Sequence, residues 1–256
     1  MPRFKLVIEY AGTRYSGWQI QKNARTVQGE IDRAIREALQ PREFELYGSG
    51  RTDAGVHALA QVAHLDIYTS LAPELLRRKL NDELPADINI LAVDKVPHRF
   101  HARHHAVARS YLYQISRRRT AFGKPFVWWI REPLDVDAMR EAGAAFVGMK
   151  DFRGFTDDDP EEKSTVVQIE ALDIVEAGPL LLVRVRGSHF LWKMVRRIVG
   201  VLAAVGRGEL SPRDATSAAI DVAALTAPAA GLFLEGVYYA RDEGPGPLTP
   251  ALNMRE

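Results

Sequence analysis

The chain contains no cysteine in 256 residues. That excludes a thiolate nucleophile, a redox pair and a cysteine-based zinc site, and it removes the disulfide framework of small secreted domains; a reducing, cytoplasmic setting is the expectation. No stretch approaches the ~18 uncharged apolar residues that a membrane span needs. The N-terminal residues from Met1 enter a strand-like alternation at once, where a leader would carry a basic and then an apolar region. The reading is a soluble, untargeted protein with no membrane partner. With 46% hydrophobic residues and 34 Lys+Arg against 33 Asp+Glu, the composition is that of a globular protein and excludes disorder.

Acid is also missing locally. From Lys95 to Arg131 there are nine Lys/Arg and four His without one Asp or Glu, and from Arg184 to Arg207 six Lys/Arg without an acid. The acids gather elsewhere, as in Asp157-Asp-Asp-Pro-Glu-Glu162. The first basic block also carries Phe100, Tyr111, Tyr113, Phe122, Phe126, Trp128 and Trp129. Cations interleaved with rings suit a polyanion whose bases can be stacked, looped or single-stranded RNA in particular; a solvated basic surface over core aromatics explains the clustering equally well.

The apolar periods define the architecture. Phe4, Leu6, Ile8 and Tyr10 alternate as a strand, and Val27, Ile31, Ala34, Ile35, Ala38 and Leu39 repeat at helical spacing behind a Thr26 N-cap. A strand at Phe44–Tyr47, a second through Ala63, Leu65 and Ile67, a helix from Pro73 to Leu80 and a strand from Ile88 to Val93 complete a β-α-β-β-α-β order, the ferredoxin-like pattern. Residues 105–256 read as a looser version. Its expected parts are a strand through Tyr111, Tyr113 and Ile115, a helix over Val136–Val147, and paired strands around Gly178-Pro179. A helix over Phe190–Val205, an Ala-rich helix capped by Ser211, a closing strand at Leu234–Tyr239 and a fraying tail from Gly244 follow. The predicted fold class is α+β: two ferredoxin-like, RRM-like halves with antiparallel sheets, residues 1–104 and 105–256, around a central RNA-binding cleft.

Between two of these strands lies Gly48-Ser-Gly-Arg-Thr-Asp-Ala-Gly55, where glycines allow a tight path that presents a carboxylate beside a guanidinium. It lacks the GxxxxGK[ST] spacing of a phosphate loop. Taken alone, Asp53 is more often a turn or capping aspartate than a catalyst.

The eleven residues from Gly48 to Ala58, however, resemble the signature of the tRNA pseudouridine synthase A family. The resemblance continues through Tyr10-Ala-Gly-Thr, Gly17-Trp-Gln, Thr26-Val-Gln, Asn81 to Pro85, Phe100-His-Ala-Arg103 and Arg109-Ser-Tyr-Leu-Tyr113. Beyond these it takes in Asp151-Phe with Phe155, Phe190 with Met194-Val-Arg-Arg-Ile-Val-Gly200, and Ala227-Pro-Ala-Ala-Gly-Leu232. It implies a homodimeric isomerase that converts uridine to pseudouridine at tRNA positions 38, 39 and 40, in the anticodon stem-loop, with no cofactor and no metal. It also implies that Asp53 is the essential carboxylate and Arg51 the arginine of its motif. Tyr111 is then the active-site tyrosine, Arg196 the basic partner of the aspartate, and Leu232 the residue flanking the uracil. One departure stands at Gln168, where the family commonly has arginine.

The chemistry fits these residue types. The N1–C1′ bond must break, the uracil turn in place, and the ring rejoin through C5. A carboxylate can attack the sugar or ring, or take a sugar proton, and the residues leave that choice open. Arg196, and Arg51 indirectly, would keep Asp53 ionised when RNA excludes water. Tyr111 can stack on a flipped base and help remove the C5 proton, although a core tyrosine is the plainer reading of an alternating strand. Lys193 and Arg197 are candidate phosphate contacts. His101 and His105 have one-turn spacing, but four Lys/Arg between residues 95 and 109 disfavour a dication there. The rival to the enzyme is a non-catalytic RNA-binding module, which leaves unexplained an aspartate set in a basic groove. A metal-dependent hydrolase is a distant third.

Overall fold

The computed structural model describes residues 1–162 and 164–252. The chain separates into two units, one made of Met1–Val107 with Leu234–Glu243 and the other of Ala108–Phe233 with the stretch from Gly244.

In the first unit the alternation along β1 (Arg3–Tyr10) buries Phe4, Leu6, Ile8 and Tyr10. α1 (Val27–Leu39) starts where the Thr26 hydroxyl accepts from the Gly29 amide, a cap worth about 1 kcal/mol. It buries Val27, Ile31, Ala34 and Ile35 and ends at Gln40 in the left-handed region, just before Pro41. β2 (Phe44–Gly48), β3 (His57–Ile67), α2 (Pro73–Glu83) and β4 (Ile88–Val96) follow. β1 pairs antiparallel with both β3 and β4, and β2 pairs antiparallel with β3, giving the order β4-β1-β3-β2. This is the ferredoxin-like arrangement that the apolar periods imply. The bidentate pair of Arg3 with Asp66, at 2.6 and 2.5 Å, ties β1 to β3.

The second unit is built on β5 (Ala106–Ser116) from Ala108 onward, β6 (Trp128–Trp129), α3 (Val136–Ala144), β7 (Gly148–Asp151), β8 (Val166–Ala177), β9 (Leu180–Gly187) and α4 (Met194–Gly206). Its strands run β5-β9-β8-β7, antiparallel throughout, and β6 adds to β5 in parallel. β8 and β9 form the expected hairpin, with Ala177 opposite Leu180 across Gly178-Pro179. The last strand, β10 (Leu232–Tyr239), begins in this unit, while the stretch from Leu234 groups with the first, where it neighbours β3 and the Tyr239 hydroxyl donates to the Ala102 carbonyl at 2.8 Å.

Four sequence-based expectations change. The helix expected from Phe190 begins only at Met194, because Lys193 stands at φ +62°, a conformation that helical residues avoid. α3 stops at Ala144 and tightens into three-residue turns through Val147. The Ala-rich helix after Ser211 is instead one short turn, Pro212–Asp214, followed by irregular chain. There the Ser217 hydroxyl and the Asp221 carboxylate accept backbone N–H groups that a helix would have used. The tail from Gly244, expected to fray, is anchored: Arg184 donates to the Gly246 carbonyl at 2.9 Å, and the Ala251 amide donates to Gln114 at 2.8 Å. Residues 253–256 of that tail lie outside the described residues.

Candidate active site

Asp53 and Arg51 belong to the first unit; Tyr111, Lys193, Arg196, Arg197 and Leu232 belong to the second.

The loop from Gly48 to Gly55 is fastened from beneath. Buried Ser49 donates its amide to the Val62 carbonyl at 2.7 Å and its hydroxyl to Gln61 Oε1 at 2.7 Å, while Gln61 Nε2 donates to the Gly50 carbonyl at 3.1 Å. Two residues on, the buried Thr52 hydroxyl shares a hydrogen bond with the Tyr10 hydroxyl at 2.8 Å, and the Thr52 carbonyl accepts from the Trp18 amide at 3.1 Å. Gly17, at φ +91°, makes that approach possible: a Cβ there would lie 2.5 Å from the Thr52 carbonyl oxygen. The Asp53 carbonyl then accepts the Val56 amide at 3.2 Å, which closes the turn. Thr52 is therefore buried, Asp53 half-buried and Arg51 exposed.

Support comes from further motif residues. Trp18 is buried and stacks obliquely on Tyr10, ring centroids 6.1 Å apart. Gln28 accepts from the Gln19 side chain and the Ile20 amide and donates to the Leu46 carbonyl, so one buried side chain joins α1, the preceding loop and β2. His57 Nδ1 accepts from the Gly12 amide at 3.0 Å. His64 Nδ1 accepts from the Ala102 amide at 3.2 Å, and burial, reinforced by the Arg3 charge, pushes its pKa down to about 4. The Nδ1 atoms of His101 and His105 likewise face backbone N–H groups, and among the described residues no cluster of three or more His, Asp or Glu side chains is arranged to hold a metal ion.

In the second unit, the tyrosine alternation resolves into two different residues. Tyr113 is fully buried, donates to the Pro228 carbonyl at 2.7 Å, and has its pKa raised by burial. Tyr111 is half-buried and meets the Phe190 ring edge-on at 5.0 Å. The core tyrosine of this strand is thus Tyr113, and Tyr111 keeps an accessible side.

α4 is buried along its whole length except at Arg196. A helix buried on every side is a core helix, and of its two arginines Arg197 is buried with the rest while Arg196 alone reaches the surface. Arg196 Nε donates to the Ala227 carbonyl at 2.7 Å, and the Ala227 amide donates back to the Arg196 carbonyl at 3.0 Å. This clasp sets the course of Ala227-Pro-Ala-Ala-Gly231, whose short turn ends at buried Leu232.

Lys193 and Arg197 are placed otherwise than as open phosphate contacts. Lys193 Nζ donates to Asp157 at 2.7 Å, Arg197 donates to the other oxygen of the same carboxylate, and Arg197 is only 3% exposed. The two cations hold the Asp157 carboxyl below the usual carboxylate range. With the Trp192 amide donating to Asp158 at 3.0 Å, the acidic run braces the lead-in to α4. Gln168 is half-buried in β8, its side-chain amide donating to the Ile169 carbonyl at 3.2 Å.

The sequence reading named no role for Tyr10, Gln61, Gln28 or Asp157. Tyr10 and Gln28 lie within the motifs Tyr10-Ala-Gly-Thr and Thr26-Val-Gln, which was the available signal; nothing marked Gln61 or Asp157 beyond a polar residue in a strand and an acid in an acidic run.

A chain carrying these features is similar in sequence to known RNA-modifying isomerases. The family model described as tRNA pseudouridine synthase matches residues 6–105 and 142–240. The chain belongs to the tRNA pseudouridine synthase family. It is 42% identical over 246 residues to a tRNA pseudouridine synthase A of Geobacter sp. (strain M21), covering 93% of this chain and 99% of that one. It is 40% identical over 246 residues to one from Rhodopseudomonas palustris (strain BisA53), covering 93% and 100%. Among solved structures, a crystallised Cbf5-Nop10-Gar1 complex aligns over 78% of this chain and 45% of its own with 10% identity and a TM-score of 0.37.

Proposed function

We propose that this chain is a tRNA pseudouridine synthase that isomerises uridine to pseudouridine in the anticodon stem-loop, at tRNA positions 38, 39 and 40, with Asp53 as its essential carboxylate. The observation that carries the proposal is the Gly48–Gly55 loop: buried Ser49 and Thr52 fix the backbone on both sides of Arg51, and half-buried Asp53 follows directly on Thr52. A carboxylate on a preorganised backbone loses little entropy when it meets a substrate, which is what a reaction that must hold a freed base in place requires.

The reaction is an internal exchange. The N1–C1′ bond breaks, the uracil turns, a C5–C1′ bond forms, and the C5 proton leaves to solvent while N1 gains one. Asp53 acts as nucleophile on sugar or ring, or as base toward the sugar. Tyr111 and Arg196 keep the roles implied by the family motif, stacking and charge support, and Leu232 flanks the uracil. A homodimer acting in the cytoplasm completes the proposal; among the described residues no helix is long and apolar enough to cross a membrane.

Transfer RNA carrying uridine tritiated at C5 tests the reading. Tritium should appear in water, and cytidine at positions 38, 39 and 40 together should abolish its release. Release that survives those replacements would overturn the assignment to the anticodon arm. Binding with no release at all would leave an RNA-binding module.

A further inference from the structure

Within the second unit lies a cavity of about 390 Å³ whose walls include Arg119, Lys124, Trp128, Trp129, Pro228 and Ala230. That volume is at the small end of the ~300–1,000 Å³ range of small-ligand sites. Among the described residues no lining side chain is acidic, and neither Tyr111, Arg196 nor Leu232 contributes to it.

The walls are held before any ligand arrives. β6 pairs with Ile115 and Ser116 of β5, and successive strand residues face opposite ways. Trp128 meets the buried Tyr113 ring at 6.3 Å, while Trp129 is 43% exposed with the Arg119 guanidinium 6.0 Å from its ring centroid. The turn bearing Lys124 is fixed by the Gly123 amide donating to the Thr120 hydroxyl at 3.0 Å and by Gln114 donating to the Phe126 carbonyl at 3.0 Å. Pro228, another lining residue, accepts the Tyr113 hydroxyl at its carbonyl. Arg117 nearby pairs with Glu176, whereas Arg119 and Lys124 are exposed and form no ion pair among the described residues.

An exposed indole costs solvation, and two neighbouring cations without carboxylates favour an anion. Together they match one chemistry: a planar base laid on the indole with its phosphate between the cations. All of its lining except Pro228 and Ala230 belongs to the acid-free run from Lys95 to Arg131, so charge complementarity favours a polyanion over an uncharged aromatic ligand.

We propose that this cavity is a subsite for an unpaired nucleotide of the RNA substrate, distinct from the uridine that reacts, with the base on Trp129 and the phosphate held by Arg119 and Lys124. The proposal rests on the tRNA reading above and adds a contact to it.

The test compares the full chain with Trp129→Phe, Trp129→Ala and the double variant Arg119→Gln/Lys124→Gln. The readouts are affinity for labelled tRNA and for labelled oligouridylate across salt concentrations, and single-turnover tritium release at saturating tRNA. Trp129→Ala should weaken tRNA about tenfold, the loss of one base stack, with Trp129→Phe within about twofold of the parent. The double variant should flatten the log–log salt dependence by about 1.4, two phosphate contacts on a single strand. Release at saturation should not change for any of the three. Because the double variant alters only exposed side chains, it keeps the test decisive if truncating the indole disturbs β6. Parental affinity and salt slope in all variants would overturn the subsite and leave the synthase reading intact. Uridine monophosphate displacing oligouridylate at equal concentration would overturn RNA as the occupant in favour of a free nucleotide. Trp129-dependent RNA binding without tritium release would keep the subsite and remove the synthase.

Discussion

Arg196 and Ala227 are bonded to each other twice, Nε to the Ala227 carbonyl at 2.7 Å and the Ala227 amide to the Arg196 carbonyl at 3.0 Å. A side chain and its own backbone thereby grip one residue of a segment that ends at Leu232. The grip needs the segment close to α4, and Gly200 supplies the room: a Cβ there would lie 1.6 Å from the Leu225 carbonyl oxygen.

Gly200→Ala therefore reverses the usual sign. In an exposed helix interior this change stabilises by up to ~1 kcal/mol. Here the methyl group must push the Leu225 backbone away, and we expect a loss of ~2 kcal/mol or more, as for other overpacked cores. Urea unfolding checks it, and a variant as stable as the parent would mean that the 222–232 segment yields freely.

Tyr10→Phe removes half of the buried bond to Thr52 and leaves the threonine hydroxyl without that partner. Loss of about 1–2 kcal/mol of stability is expected. Because the bond sits one residue before Asp53, turnover at saturating tRNA should fall more than tRNA affinity does. An equal fall in both would argue against a role in holding the loop.

His64 supplies a pH dependence. Its pKa is about 4 when folded, depressed first by burial and then by the Arg3 charge, against about 6.5 when unfolded. The unfolded chain thus binds the proton at higher pH than the folded one. The contribution to stability is complete above pH ~6.5 and is lost as pH falls toward 4, with a span of roughly 2–3 kcal/mol. In His64→Gln, the fall in stability between pH 7 and 4.5 should shrink by most of that amount. An unchanged pH profile would show that His64 does not titrate on unfolding.

Apolar period made the framework legible, since Phe4, Leu6, Ile8 and Tyr10 or Val27, Ile31 and Ile35 can share one buried face in only one element type. Where the sequence misled, local signals were overridden. Leu191 extends the helical period of α4 backward, yet Lys193 is held left-handed beside its ion pair with Asp157, an acid thirty-six positions away. The alanines after Ser211 favour helix, while Ser217 and Asp221 tie up the backbone locally. Among the proposed site residues, the motifs marked Asp53, Tyr111 and Arg196 by type and order. What they could not reveal were the partners: Thr52 meets Tyr10 across 42 residues, and Arg196 meets Ala227 across 31. Lys193 and Arg197 were legible as cations but not as partners of Asp157, because opposite charges in sequence do not disclose which of them meet.

In the proposed reaction Asp53 performs chemistry and does not merely shape its loop. Asp53→Asn keeps the size of the side chain and most of its hydrogen-bonding capacity while removing the carboxylate. Single-turnover tritium release from C5-labelled tRNA, at concentrations giving the variant and the parent equal RNA occupancy, separates the two roles. Parental binding and a loss of release of ~1,000-fold or more are expected. Release within about tenfold of the parent at matched occupancy would contradict it.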